Sequence, residues 1–139
     1  MEDVLIDSDV ILDTLLDRKP FSKISTEILA LCANNKIKGY ITPVIIANIY
    51  YILRKTYSKN EVKQGLNNLL EVVDVVEISK KTIIEALNSD FADFEDALQN
   101  FSAAANSKIT AIITRNVKDY QKSSLAVFTP EMYLKSRAN

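Results

Sequence analysis

Five short apolar runs, each separated from the next by a stretch with helical spacing, constrain this chain more than any other feature. The runs are Val4-Leu5-Ile6, Tyr40-Ile41-Thr42, the Val/Ile-rich segment 72–78, Ala111-Ile112-Ile113 and Ala126-Val127-Phe128. A strand with one face in water alternates apolar and polar residues, whereas a strand covered on both faces reads as continuously apolar. Strand–helix alternation with runs of this kind predicts an α/β fold in three layers. A central parallel sheet of about five short strands is flanked by helices. No internal repeat, low-complexity tract or Pro/Gly/Ser linker divides the chain, so residues 1–139 are expected to form one domain.

The intervening segments carry recognisable start and stop signals. Asp7-Ser8 supplies a helix cap, after which Val10, Ile11, Leu15 and Leu16 recur at helical spacing. A second helix is expected over about 22–34, closed by Asn34-Asn35 and Gly39. Pro43 suits the first turn of a helix running from about 44 to 55, apolar on most of its circumference and so largely buried. Ser58 and Glu61 form a capping-box pattern, and Ser79 caps a helix to about Asn88. Asp93 to Ser107 is a helix that begins in acid, and Pro130 opens a terminal one.

What the chain lacks narrows its chemistry. Its 139 residues include no histidine, which removes Ser-His-Asp triads, zinc fingers and any imidazole base. The single cysteine, Cys32, lies in the apolar stretch 28–32 and reads as a buried packing residue. Two glycines, Gly39 and Gly65, cannot build a Gly-rich phosphate loop, so Walker and Rossmann sites are out. No apolar run approaches the ~20 residues of a bilayer span. The acidic N-terminus does not resemble a secretory signal, so the expected location is cytoplasmic. Carboxylates, hydroxyls and amides remain, and these hard oxygen ligands point to magnesium or manganese. A net charge of −1 does not mark a nucleic-acid binder, although a local basic rim around an acidic site escapes a formal sum.

In parallel sheets, ligands sit beyond the carboxyl ends of the strands. Asp7 directly follows the first strand, with Ser8 and Asp9 behind it. Thr114-Arg115-Asn116 leaves the fourth strand, bringing a hydroxyl, a guanidinium and an amide to the same end. Asp93-Phe94-Glu95-Asp96 opens a helix, and Asp93 and Asp96, three residues apart, share a face on which both could meet one cation. Taken alone, each acid is also explained by capping and by the helix dipole.

The order of these features resembles the PIN-domain family. Residues 4–13 (VLIDSDVILD) resemble its opening strand and essential Asp, 41–55 its second motif, 93–99 (DFEDALQ) its third and 113–120 (ITRNVKDY) its fourth. The resemblance implies a metal-dependent ribonuclease, often the toxin of a VapC-type toxin–antitoxin pair. It places Asp7 and Asp96 as catalytic, metal-binding acids, with Asp93 and Asn116 as further ligands. Ser8, Asp9, Asn48, Thr114, Arg115 and Asp119 would support them or meet substrate. It also implies RNA, an antitoxin protein and a second copy of the chain as partners. Two positions depart from the pattern: Asn48 stands where the second motif carries Glu, and near Asn116, where the fourth carries an acid, the nearest carboxylate is Asp119. A neutral amide brings no charge, so metal binding should be weakened. A PIN scaffold that binds RNA or protein without cutting is the alternative. Asp7-Ser8-Asp9 also resembles the haloacid-dehalogenase phosphatases, but Val10 replaces their flap glycine and the chain is short for that fold. Arg54, Lys55, Arg115, Lys118 and Lys122 are cations available to phosphates, Arg115 foremost among them. Tyr50 and Tyr51 read as core residues rather than stacking platforms.

Overall fold

The computed structural model describes residues 1–138, and all five apolar runs form parallel strands of one sheet. The strands are β1 (Glu2–Ile6), β2 (Ile37–Ile41), β3 (Asp74–Val75), β4 (Ile109–Ile113) and β5 (Ala126–Phe128). Seven helices cover them: α1 (Ser8–Leu15), α2 (Ser22–Ala33), α3 (Pro43–Leu53), α4 (Lys59–Val72), α5 (Lys80–Leu87), α6 (Phe94–Ala105) and α7 (Pro130–Ala138). The strand order is β3-β2-β1-β4-β5. The chain therefore builds outward from β1 on one side, then returns to build outward on the other. The order reverses between β1 and β4, where Ile6 lies beside Ile113. The next residues, Asp7 and Thr114, thus emerge side by side at the open end of the sheet. Among the described residues no helix is long and apolar enough to cross a membrane.

Successive residues of the central strand feed opposite layers. Val4 and Ile6 pack into a core with α1 to α4 and α7, while Leu5 joins Tyr40, Ile112, Ala103 and Tyr120 on the α6 side. All three are fully buried, as an apolar run in a doubly covered sheet requires.

The helix signals act at close to the expected positions. Asp7, Thr42, Ser58, Ser79 and Asp93 are N-caps whose side chains accept from backbone N–H groups, and Ser58 with Glu61 completes the reciprocal box. Three expectations are corrected. Helix α2 is closed by Asn34-Asn35 without Gly39: Asn34 is the C-cap, and Asn35 takes φ 57° while Lys36 and Asn35 donate to the carbonyls of Leu31 and Cys32. Gly39 instead lies inside β2, where a Cβ would stand 2.7 Å from Cys32 Sγ and 2.9 Å from Ile6 Cδ1. Gly39→Ala is expected to cost about 1–3 kcal/mol by overpacking, read as a lower denaturation midpoint at unchanged m-value.

The third strand is shorter than its composition suggests. Val72 is still helical and Val73 donates to Leu69, so only Asp74 and Val75 pair with β2 at the sheet edge. Helix α3 is not buried all round either. Ile45, Ile49 and Leu53 form its inner stripe, while Tyr51 is 70% exposed and contacts Tyr50 edge-on. Apolar composition set the first expectation, but only one face of α3 has a layer to pack against. Cys32 is buried, and burial pushes its thiol up to about 11, as a packing role requires.

Candidate active site

Asp7 caps α1 at the point where the strand order reverses. Its backbone N–H still belongs to the sheet, donating to Ile113 O, and its Oδ1 accepts from Ser8 N at 2.8 Å. Oδ2 is held by two hydroxyls, Thr114 Oγ1 at 3.0 Å and Tyr120 Oη at 3.1 Å. The carboxylate is buried, and desolvation holds its pKa above the ordinary carboxylate range despite these donors. Tyr120 lies on the 3₁₀ turn Val117–Tyr120 that follows β4. Tyr120 falls within the fourth motif, yet nothing local marks its role, since only the folded chain brings its hydroxyl to Asp7.

Asp9, in the first turn of α1, is gathered by the β4 exit loop. Its Oδ2 accepts from Arg115 N and Asn116 Nδ2, both at 3.1 Å, while its buried Oδ1 has no partner. Burial, followed by the charge of Asp7, pushes its pKa up to about 6.

Asp96 sits half-buried in the first turn of α6, its N–H bonded to Asp93 Oδ1 at 2.9 Å. Burial and then the charges of Asp7, Asp93 and Asp119 push it up to about 7. Asp7, Asp96 and Asp119 therefore feel one another's charge, although they come from three separate segments. Asp93 is exposed and acts as the helix cap, and Asp119 is exposed on the 3₁₀ turn.

Asn48, on α3, donates Nδ2 to Glu95 Oε2 at 2.9 Å. The carboxylate missing from the second motif thus has one standing across from it, on α6 beside Asp96. Arg115 is not the free cation expected at the rim. Its guanidinium makes a bidentate pair with the fully buried Asp13, at 2.6 and 3.0 Å, and lies 4.0 Å from the Phe21 ring centroid. Asp13 belongs to the opening motif, but nothing in its spacing revealed a partner 102 residues away.

The donor set is all oxygen and mutually repulsive. Three of the acids have raised pKa values and one carries an orphaned buried oxygen, so a hard divalent cation fits its chemistry. Among the described residues no three acidic side chains converge as a ready-made cage. Magnesium commonly keeps several waters and takes only one or two carboxylates, which suits this more open arrangement.

The PIN-domain family model matches residues 3–118. The chain belongs to the PIN-domain family. It is 29% identical over 140 residues to Ribonuclease VapC1 of Aquifex aeolicus, covering 95% of this chain and 93% of that one. Among solved structures, VapBC-1 from nontypeable Haemophilus influenzae matches with a TM-score of 0.68 and 14% identity, over 93% of this chain and 98% of that one. VapBC2 from Rickettsia felis, bound to a DNA fragment from its promoter, matches with a TM-score of 0.64 and 15% identity, over 90% and 96%. At such identities these structures speak to the fold, and it is the three-layer α/β arrangement with a parallel sheet that the apolar runs predicted.

The raised acids make a pH signature. A carboxylate whose folded pKa lies above its unfolded value stabilises the fold below the unfolded pKa, and that contribution is lost as pH rises through the folded one. For Asp96 the window runs from about 4 to about 7. Without metal, Asp96→Asn should therefore melt like the wild type near pH 4 and progressively higher than it up to pH 8. Manganese should narrow or reverse the difference at pH 8 by stabilising only the wild type. Thermal melts across pH, with and without manganese, read this directly.

Proposed function

We propose that this PIN domain is a divalent-metal-dependent ribonuclease acting on single-stranded or structured RNA, as the toxin of a toxin–antitoxin pair. One observation carries the reading: a buried Asp at the strand-order reversal, held by two hydroxyls and facing acids from two other segments. Asp7 and Asp96 would hold magnesium or manganese, with Asp93, Asn116 and Asp119 around them. When bound, such an ion lowers the pKa of a water and stabilises charge on the attacked phosphate. The chain's own residues fix the geometry. Thr114 and Tyr120 lock the Asp7 rotamer, while Arg115 N–H and Asn116 pin Asp9. Water activation by a bound ion would need no imidazole, in keeping with the absence of histidine. Lys118, within the 3₁₀ turn, and Lys122, just after it, meet phosphates there.

Purified protein should cleave single-stranded RNA with manganese and stop on chelation. Binding without cleavage would instead favour the non-cutting scaffold.

The partners follow from the same reading. The toxin–antitoxin structures above suggest an antitoxin for this chain, and an apolar groove of about 340 Å³ lies between α2 and α4. Leu29, Ala30, Leu69 and Val72 line it and suit an amphipathic helix. Tyr51 stands one turn past Asn48 on α3, and Phe94 adjoins Glu95, so the Asn48–Glu95 contact brings two exposed aromatics to one region. This face pairs with a second copy, and light scattering should report twice the 15.6 kDa monomer mass at micromolar concentration, falling for Tyr51→Glu.

A further inference from the structure

A second cavity is lined by Arg115, whose backbone N–H holds Asp9, and the proposed function leaves it unused. Its volume is about 360 Å³, within the range of small-ligand pockets. Pro20, Phe21 and Ile24, from the α1–α2 connection and the start of α2, form one wall, and Pro130 at the start of α7 faces them. The lining is mainly apolar, with four polar residues: Ser25, Arg115, Thr129 and Glu131, the last paired with Lys135 at 3.1 Å. Ser25 is 1% exposed, lines the cavity and leaves its Oγ without a hydrogen-bond partner. Arg115 lines it too, its guanidinium stacked on Phe21 and braced from behind by Asp13.

We propose that this cavity binds one unpaired nucleobase of the RNA substrate, next to the phosphate held at the acids. The inference rests on the RNA reading above and adds the place where sequence is sensed. A nucleobase is flat, apolar on its faces and polar on its edge. Single-stranded RNA recognition uses aromatic rings and Arg planes against the faces, with hydroxyls and amides on the edge. Phe21 and Arg115 supply a stacked plane, the prolines a narrow wall, and Ser25 an edge contact that nothing in the chain satisfies. Arg115 ties the cavity to the chemistry, because its backbone N–H donates to Asp9 while its side chain faces the base. The segment carrying Phe21 also holds Lys19 and Lys23, which are available to the flanking phosphates.

Fluorescence anisotropy with single-stranded hexanucleotides tests this in the Asp7→Asn background, which leaves the RNA intact. One set is intact and another carries a single abasic site at each position in turn. One abasic position should weaken binding on the order of tenfold, the scale of losing one stacked base. Phe21→Ala should weaken binding of the intact oligonucleotide by the same factor and show no further loss at that position. Phe21→Trp should retain affinity. Phe21 is 41% exposed, so the fold should tolerate both changes, and melting curves check this. Equal affinity of Phe21→Ala and its parent, with all abasic positions equivalent, overturns the pocket while leaving the nuclease reading intact. RNA neither bound nor cut by the wild type overturns both. Loss of a co-purifying protein partner in Phe21→Ala, with RNA binding unchanged, assigns the cavity to protein recognition and overturns the proposal too.

Discussion

Asp7→Asn should lose RNA cleavage by more than a hundredfold while melting at or above the wild-type temperature. Changing groups that merely orient metal ligands already costs about 10–100-fold, so removing a ligand's charge should cost more. Stability should not suffer, because the charge is unfavourably buried and Asn retains an oxygen to cap Ser8 N. Its new Nδ2 would face Thr114 and Tyr120, whose hydroxyls can turn to accept. Cleavage of RNA beside calorimetric melting checks both halves. Equal cleavage by wild type and Asp7→Asn would place the activity elsewhere. The companion change, Asn48→Glu, restores the charge that the second motif usually carries and should raise manganese affinity. Glu95 Oε2 lies 2.9 Å from the amide being replaced, so repulsion will offset part of the gain. Asn48→Glu with Glu95→Gln should show the fuller increase in titration calorimetry.

The second large effect is on stability. Arg115→Met should destabilise the protein by about 3 kcal/mol, because it strands a carboxylate that is fully buried in the fold. The loss falls at the low end for broken buried pairs, since Arg115 is partly exposed and Arg18 still approaches Asp13 at 3.6 Å. For a chain of this length the melting temperature should drop by roughly 10 °C. Removing both partners in Asp13→Asn, Arg115→Met should recover most of it, and the double-mutant cycle measures the coupling. If Arg115→Met melts like the wild type, the pair is not holding the β4 exit loop against α1.

This pair shows why the cation judged most available for RNA proved to be the least free. Its place in a strand-end motif is visible in the sequence, but the direction of its side chain is not. The same holds for Tyr120, whose hydroxyl reaches Asp7 across 113 residues, and for Asn48 and Glu95, 47 apart. Each contact depends on which strands are neighbours and on how two helices approach.

What the sequence determined by itself was local or periodic. Uninterrupted apolar runs required strands covered on both faces, and capping residues, an acidic start and Pro43 marked where helices begin, although Thr42, read as strand, proved to be a cap. Carboxylates after β1 and at the head of α6 located the open end of the sheet, because side chains at strand ends can only emerge there. Tertiary structure decided the rest. It shortened β3 to a two-residue edge where Val73 joined the helix ladder, and it left Tyr51 exposed because α3 has a single inner layer to pack against. It turned Arg115 inward onto Asp13 and opened a cavity behind it. Hydrogen bonds within a turn and the period of an apolar stripe depend on residues a few positions apart. Burial of a charge and the rotamer of its partner depend on the whole assembled core, which exists only after the strands have found their order.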